Sequence, residues 1–288
     1  MSNRILQVQV REHSLDPAQA ELWITASAEH VTPATELRGS LAGPRCLYAA
    51  TVEIGYPLRP FMRRREGMEG LSARVVIPEP SLWEPQCPFV YQGTVELWQD
   101  GARCDQVPIR RGLRRVTLGR GGLRVNGRPL ALRGRSVDKC DENQIAALHR
   151  AGCNFLLARS IECLGELLPL ANVHGFLILG ALKETEQAAL DRADALADHP
   201  SFLGWLLKAP WARWDADVIA RLRGEGRALV GVELDELPAG ALPSGVDFIA
   251  CPAGVAAQMV RGEETSPLPP LLLLGDGPDS PAAFGRVE

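Results

Sequence analysis

The feature that most constrains this chain is a change of rhythm near residue 118. Before it, short β-rich runs follow one another: Ile5–Val10, Ala20–Ala26, Leu47–Ile54, Leu71–Ile77 and Phe89–Gln99. The last has period-two patterning and ends in Asp100-Gly101, a hairpin turn signal. Pro57 to Gly70 is rich in Pro, Arg and Gly and reads as a surface loop. Such a series predicts an antiparallel sandwich over residues 1–117. After residue 118 a small hairpin at Asn126-Gly127 gives way to apolar runs alternating with helical segments. The strand candidates are 131–137, 154–158, 176–179, 202–207, 228–234, 247–250 and 271–274. Between them 141–151, 164–173, 185–198, 215–224 and 253–261 carry helical spacing of apolar residues. Strand–helix alternation implies a parallel sheet with right-handed crossovers. Residues 118–288 therefore read as a TIM-type (β/α) barrel, and the seven candidate strands fall one short of closure.

Composition narrows the class further. Of 288 residues, 46% are hydrophobic and 23% charged, the balance of a globular protein. The formal charge of −4 hides a division. Residues 1–135 carry 19 Arg against 13 acids, whereas residues 136–288 carry 12 basic residues against 22 acids. That split favours attraction between two domains or two copies. No aromatic-rich binding motif accompanies the basic half, which argues against a nucleic-acid partner. Seven cysteines, widely spread and without a Cys-x-x-Cys pair, fit free thiols in a reducing compartment. With no leader and no apolar run of membrane-spanning length, the expectation is a cytoplasmic protein without a membrane partner. His149, His174 and His199 lack metal-site spacing, and Gly119–Gly122 precedes a hairpin where a phosphate cradle needs a helix. Neither a metal nor a cofactor is expected.

Several motifs around the junction fall in one register. Leu82-Trp83-Glu84-Pro85 and Pro88-Phe89-Val90-Tyr91 come first, then Asp100-Gly101 and Gly112-Leu113-Arg114. Val125-Asn126-Gly127-Arg128-Pro129 and Leu132-Arg133-Gly134 complete the set. Their order resembles that of the family-2 glycoside hydrolases, the β-galactosidase, β-glucuronidase and β-mannosidase group. Gly152-Cys153-Asn154, Gly175–Leu179 and His199-Pro200-Ser201 with Trp205 are similar to the family's second, third and fourth barrel strands. The resemblance runs from about residue 80 to 277 and implies an immunoglobulin-like sandwich followed by a glycosidase barrel. The jelly-roll domain that usually precedes these two has no counterpart in residues 1–288.

The resemblance also implies a chemistry, and here the residues depart from it. A retaining glycosidase needs two carboxylates about 5–5.5 Å apart. The family places its acid/base as Asn-Glu after the fourth strand, where this chain has Ala209 and Pro210. The nucleophile's place after the seventh strand is held by Gly275. The supporting positions are changed too: Leu157 stands for an arginine, Ala181 for a glutamate, and Arg135–Asp138 for a His-rich turn. No catalytic residue is carried over. As surrogates, Asp276, Glu184 and Asp215 lie near strand ends, as do Glu233 and Asp235; a solvated loop carboxylate or a helix cap is the plainer reading of each.

For ligand binding, Trp205, Trp211 and Trp214 cluster around the fourth strand end, where aromatic faces would suit sugar rings. They serve equally well as a plug or a partner interface. Arg159 is a candidate for the barrel mouth. The expectation is a non-catalytic, glycosidase-like protein acting in binding or assembly, with a second copy or protein partner over the open barrel edge. An active β-glycosidase with displaced carboxylates and a carbohydrate-binding module are the two alternatives.

Overall fold

A computed structural model of the chain describes residues 3–61, 71–183, 187–224, 227–238, 240–261, 269–277, 280 and 283–288. The chain folds as two compact units, Met1–Trp83 with Cys87–Arg114, and Glu84–Gln86 with Arg115–Glu288.

The first unit is antiparallel. Its strands are β1 (Ile5–Leu15), β2 (Gln19–Ala28), β3 (Thr35–Arg45), β4 (Ile54–Pro57), β5 (Arg59–Pro60), β6 (Leu71–Pro78), β7 (Val90–Gln99) and β8 (Ala102–Arg111). They form two four-stranded sheets, β1-β2-β6-β5 and β4-β3-β7-β8. Alternate residues of both, among them Leu22, Ile24, Val75, Ile77, Leu37, Leu41, Val95 and Leu97, share one buried core. That is how a sandwich removes one face of each sheet from water. Asp100-Gly101 takes the positive φ values (50° and 78°) that a tight β7–β8 turn demands. Tyr91 is buried, and its hydroxyl accepts from the Ser81 amide at 2.9 Å, fixing the 79–83 segment against β7. Burial pushes the Tyr91 phenol above its ordinary pKa. One expectation fails here: residues 47–53 form no strand, and pairing starts only at Ile54. Their apolar side chains stay in water, Val52 at 82% exposure. Most of the loop expected after Pro57 lies outside the described residues.

The second unit opens with a small sheet of β9 (Val116–Gly119), β10 (Gly122–Val125) and β11 (Arg128–Pro129), turned at Asn126-Gly127. The barrel then runs β12 (Leu132–Val137), α1 (Glu142–Arg150), β13 (Phe155–Ala158), α2 (Leu164–His174), β14 (Leu177–Leu182), α3 (Gln187–Ala197) and β15 (Phe202–Leu207). It continues through α4 (Ala216–Arg223), β16 (Leu229–Glu233), β17 (Phe248–Pro252), α5 (Ala253–Arg261), β18 (Leu271–Leu274) and β19 (Ala283–Val287). Caps set the helix ends. Asp141 and Gln144 form a capping box at the start of α1. Gly175 closes α2 at φ 76°, where a Cβ would also lie 2.0 Å from the Pro85 carbonyl oxygen, so only glycine fits.

The expected gap in the barrel does not exist. All eight strands are parallel, and β19 pairs with β18 on one side and β12 on the other, closing the ring. No open edge is left for a partner to cover. The eighth strand is hidden in the sequence because Gly285 and Arg286 interrupt its apolar run.

Period-two alternation sorts the barrel side chains. Leu156, Ile178, Trp205, Val230, Val232, Ile249 and Leu273 join Ile145, Leu168, Ile219 and Leu222 of the helices in one cluster. The residues between them, Phe155, Leu157, Leu177, Leu179, Leu206, Phe248 and Leu272, are buried and face the lumen. Gly231 makes room for the Phe248 ring, which would lie 2.3 Å from a Cβ there. Phe248 and Phe284 meet edge-on with centroids 5.6 Å apart. The lumen is a packed apolar core, and any polar chemistry is left to its rim.

Candidate functional site

A parallel barrel builds its sites where the strands end, at the C-terminal mouth. The lumen-facing rows continue there with a change of character. Two residues beyond Leu157 on the same row is Arg159, beyond Leu206 is Lys208, beyond Gly231 is Glu233, and beyond Gly134 is Ser136. The register turns all four toward the axis.

They meet. Arg159 Nη1 donates to both Glu233 carboxylate oxygens, at 2.9 and 3.0 Å. Lys208 Nζ lies 3.3 Å from Glu233 Oε1. Arg159 Nε donates to Ser136 Oγ at 2.7 Å. The network therefore links β12, β13, β15 and β16 across the mouth. Glu233 is 7% exposed and its partners 30% and 31%, so one shielded carboxylate sits under two cations that still touch water. The local sum is one excess positive charge. Trp214 holds the rim from outside: its indole N–H donates to the Lys208 carbonyl at 2.7 Å.

The positions that the sequence resemblance alone aligned with catalytic places lie apart from this cluster in character. Ala209 and Pro210 are exposed, and Pro210 precedes a single 3-10 turn at Trp211–Arg213. Gly275 is exposed at φ 74°, with its N–H donating to the Val287 carbonyl at 2.8 Å and its carbonyl accepting from Arg286 at 2.9 Å. Leu157 and Ala181, at the supporting places, are both buried and apolar. Among the described residues of the mouth, Glu233 is the carboxylate held at the axis.

The other candidates fall elsewhere. Asp215 is the N-cap of α4 and accepts from the Val218 amide at 2.8 Å. Replacing it with alanine is expected to cost about 1 kcal/mol in a denaturant titration. Asp276 and Asp235 are exposed loop residues. Glu184 lies outside the described residues. Trp205 is fully buried, faces the helices, stacks edge-on with Phe202 at 4.9 Å and donates to the Leu222 carbonyl at 3.0 Å. Trp214 is 3% exposed, and Trp211 packs half-buried against the same cluster. Neither Trp205 nor Trp214 leaves a ring face for a sugar, whereas Trp211 keeps part of its side chain in water. Among the described residues, no group of three His, Cys, Asp or Glu side chains is placed to hold a metal ion. No helix among them is long and apolar enough to cross a membrane.

Sequence reasoning singled out Arg159 but missed Lys208, and placed Glu233 in a solvated loop. The usable signal was a charged residue at the end of three apolar runs, at Ala158-Arg159, Leu207-Lys208 and Val232-Glu233. Which of these ends face each other is a matter of register that no single run reveals.

No protein-family model matches the chain. A 73-residue stretch is 33% identical to a β-galactosidase of Oenococcus oeni, covering 25% of this chain and 7% of that protein. Among solved structures, a Bifidobacterium dentium β-glucuronidase superposes with a TM-score of 0.72 at 12% identity, over 99% of this chain and 60% of that one. A β-galactosidase of Bacteroides fragilis described as putative superposes with a TM-score of 0.68 at 15% identity, over 93% of this chain and 46% of that one. The chain thus spans 60% or less of the length of these glycosidases, and shares with the two solved structures the fold of a sandwich followed by a closed barrel.

Proposed function

We propose that this chain is a family-2-like pseudoglycosidase, a glycosidase-type sandwich and barrel that acts in binding or assembly. One observation carries the reading. Glycoside cleavage with retention needs one carboxyl group to protonate the leaving oxygen and a second to attack the anomeric carbon. At this mouth, the axial carboxylate is Glu233, and both its oxygens are engaged by Arg159 and Lys208. The places of the family's two glutamates carry Pro210 and Gly275, neither of which can donate a proton or form a glycosyl ester. The lumen beneath the cluster is apolar and filled, so no second polar layer replaces them. Assembly is favoured by the opposite charges of the two halves of the sequence.

The test is hydrolysis of aryl β-galactoside, β-glucuronide, β-mannoside and β-glucoside by the purified chain. No turnover above the buffer blank is expected for any of them, for the unaltered protein or for Asp276→Asn and Glu233→Gln. Turnover abolished by either substitution would show a displaced carboxylate at work and overturn the proposal.

A further inference from the structure

The cluster at the mouth does not balance its own charge. Glu233 is one carboxylate, and two cations are set on it from different strands, Arg159 from β13 and Lys208 from β15. Both touch the same oxygen, Glu233 Oε1, at 2.9 and 3.3 Å, so the two positive groups are held within reach of a single small ligand. Among the described residues, no second carboxylate pairs with either of them. One cation suffices to neutralise Glu233. The second adds like-charge repulsion at close range, a cost to the fold that a ligand of opposite charge removes.

The polar groups left over define that ligand. Arg159 uses Nε on Ser136 Oγ and Nη1 on Glu233, which leaves its Nη2 without a partner among the described residues. Ser136 Oγ accepts from Arg159, so its own proton is still free to be donated. Lys208 Nζ has three protons and, among the described residues, pairs with Glu233 alone. All of these spare groups are donors, and all reach water: the Arg159 and Lys208 side chains are about a third exposed and Ser136 is exposed. Beneath them Leu157 and Leu206 are buried on the same lumen-facing rows. Donors standing on an apolar floor make stronger charge-assisted hydrogen bonds than donors surrounded by water. The surplus is one positive charge, which a monoanion cancels and a dianion reverses. Neither Arg159 nor Lys208 stands at a position that the sequence resemblance aligned with catalysis, so the cluster is this chain's own.

We infer that the mouth at Ser136, Arg159 and Lys208 binds the carboxylate of a small organic anion, with Glu233 as the built-in counter-ion that sets its affinity. The inference deepens, and rests on, the binding role proposed for the same mouth. Its test reads anion binding and no turnover, so its failure is separate from any result of the hydrolysis assay.

The probe is sodium acetate, titrated into the intact, isotope-labelled chain at constant ionic strength against sodium chloride. The reporter is the Arg159 Nε–H resonance in NMR spectra, assigned by its loss in Arg159→Lys. A saturable shift with a half-effect at about 10 mM is expected. Lys208→Gln is expected to weaken binding about tenfold, and Ser136→Ala about threefold. Glu233→Gln removes the competing charge but keeps an acceptor oxygen, and is expected to tighten binding about tenfold. A role confined to holding the fold together gives no such gain. Lys208→Gln changes one partly exposed contact and keeps the test decisive if Glu233→Gln fails to fold. A shift that never saturates, an equal response to chloride, or unchanged affinity in Lys208→Gln would overturn the inference. Tighter binding of inorganic phosphate than of acetate would overturn the assignment to a carboxylate. Binding seen only in Glu184→Gln would mean that the chain's own carboxylate fills the site, and would overturn it as well.

Discussion

Replacing Trp205 with alanine is expected to lower the unfolding free energy by about 4 kcal/mol in a urea or guanidinium titration. The indole is fully buried between β15 and the helices, touches Phe202 edge-on, and is the donor for the Leu222 carbonyl at the end of α4. Removing it leaves a cavity in a close-packed wall and strands a buried acceptor, and the two losses add. Gly180 on the neighbouring strand shows how tight the site is, since a Cβ there would approach the Trp205 ring to 3.0 Å. Trp205→Phe keeps most of the volume but loses the donor, and about 2 kcal/mol is expected for it. Trp211→Ala, at a half-buried site, should cost less than either. An aromatic platform for a ligand would give the reverse: Trp205→Ala would hurt binding and leave stability nearly unchanged.

Glu233 is the second position where a single change has a large expected effect. Glu233→Ala leaves Arg159 and Lys208 facing each other at the mouth without their common counter-ion. A fully buried pair broken in this way costs about 3–5 kcal/mol. Because Arg159 and Lys208 are each about a third exposed, water takes up part of the charge, and about 2 kcal/mol is the expected loss. A double-mutant cycle with Arg159→Met isolates the pair. In the wild-type background Arg159→Met leaves Glu233 with Lys208 alone, whereas in a Glu233→Met background it removes an unpaired cation. A coupling of about 1–2 kcal/mol is expected from equilibrium unfolding. Additive costs would mean that the shared Nη1 contact contributes nothing to the fold.

Much of the barrel was legible because its strands are leucine- and valine-rich runs separated by helical spacing. Seven strands follow from that pattern. The eighth does not, because Ala283–Val287 contains Gly285 and Arg286 and the residues 275–282 before it carry no helical spacing of apolar positions, so both signals fail together. In the sandwich, β3 escapes notice for a related reason: Gly39, Gly43 and Pro44 break its apolar alternation, yet β3 pairs through most of its length with β7. Residues 47–53 show the opposite error. Their composition suits a strand, but pairing and burial decide strands, and composition alone does not supply either.

The mouth divides in the same way. The proposal that Pro210 and Gly275 stand at catalytic places rests on the sequence, since it concerns residue types at motif positions. The Arg159–Glu233 pair joins residues 74 apart in sequence, and only closure of the ring puts β13 opposite β16. A carboxylate at a strand end looks like a loop residue until the lumen-facing register shows that it points inward. Asp215 and Glu233 are alike in the sequence and differ in the fold: one caps a helix, and the other is the centre of the mouth.

The central claim is that no carboxylate of this chain can act as a glycosidase nucleophile. It is tested most directly by covalent trapping, because a retaining mechanism passes through a glycosyl–enzyme ester. The purified chain is incubated with activated 2-deoxy-2-fluoro β-glycosides of the galacto, glucurono, manno and gluco series, and its intact mass is measured. The account predicts an unchanged mass with every reagent, even after prolonged incubation at high reagent concentration. A single stoichiometric adduct, mapped by peptide sequencing to Asp276, Glu233 or any other carboxylate at the mouth, would contradict it.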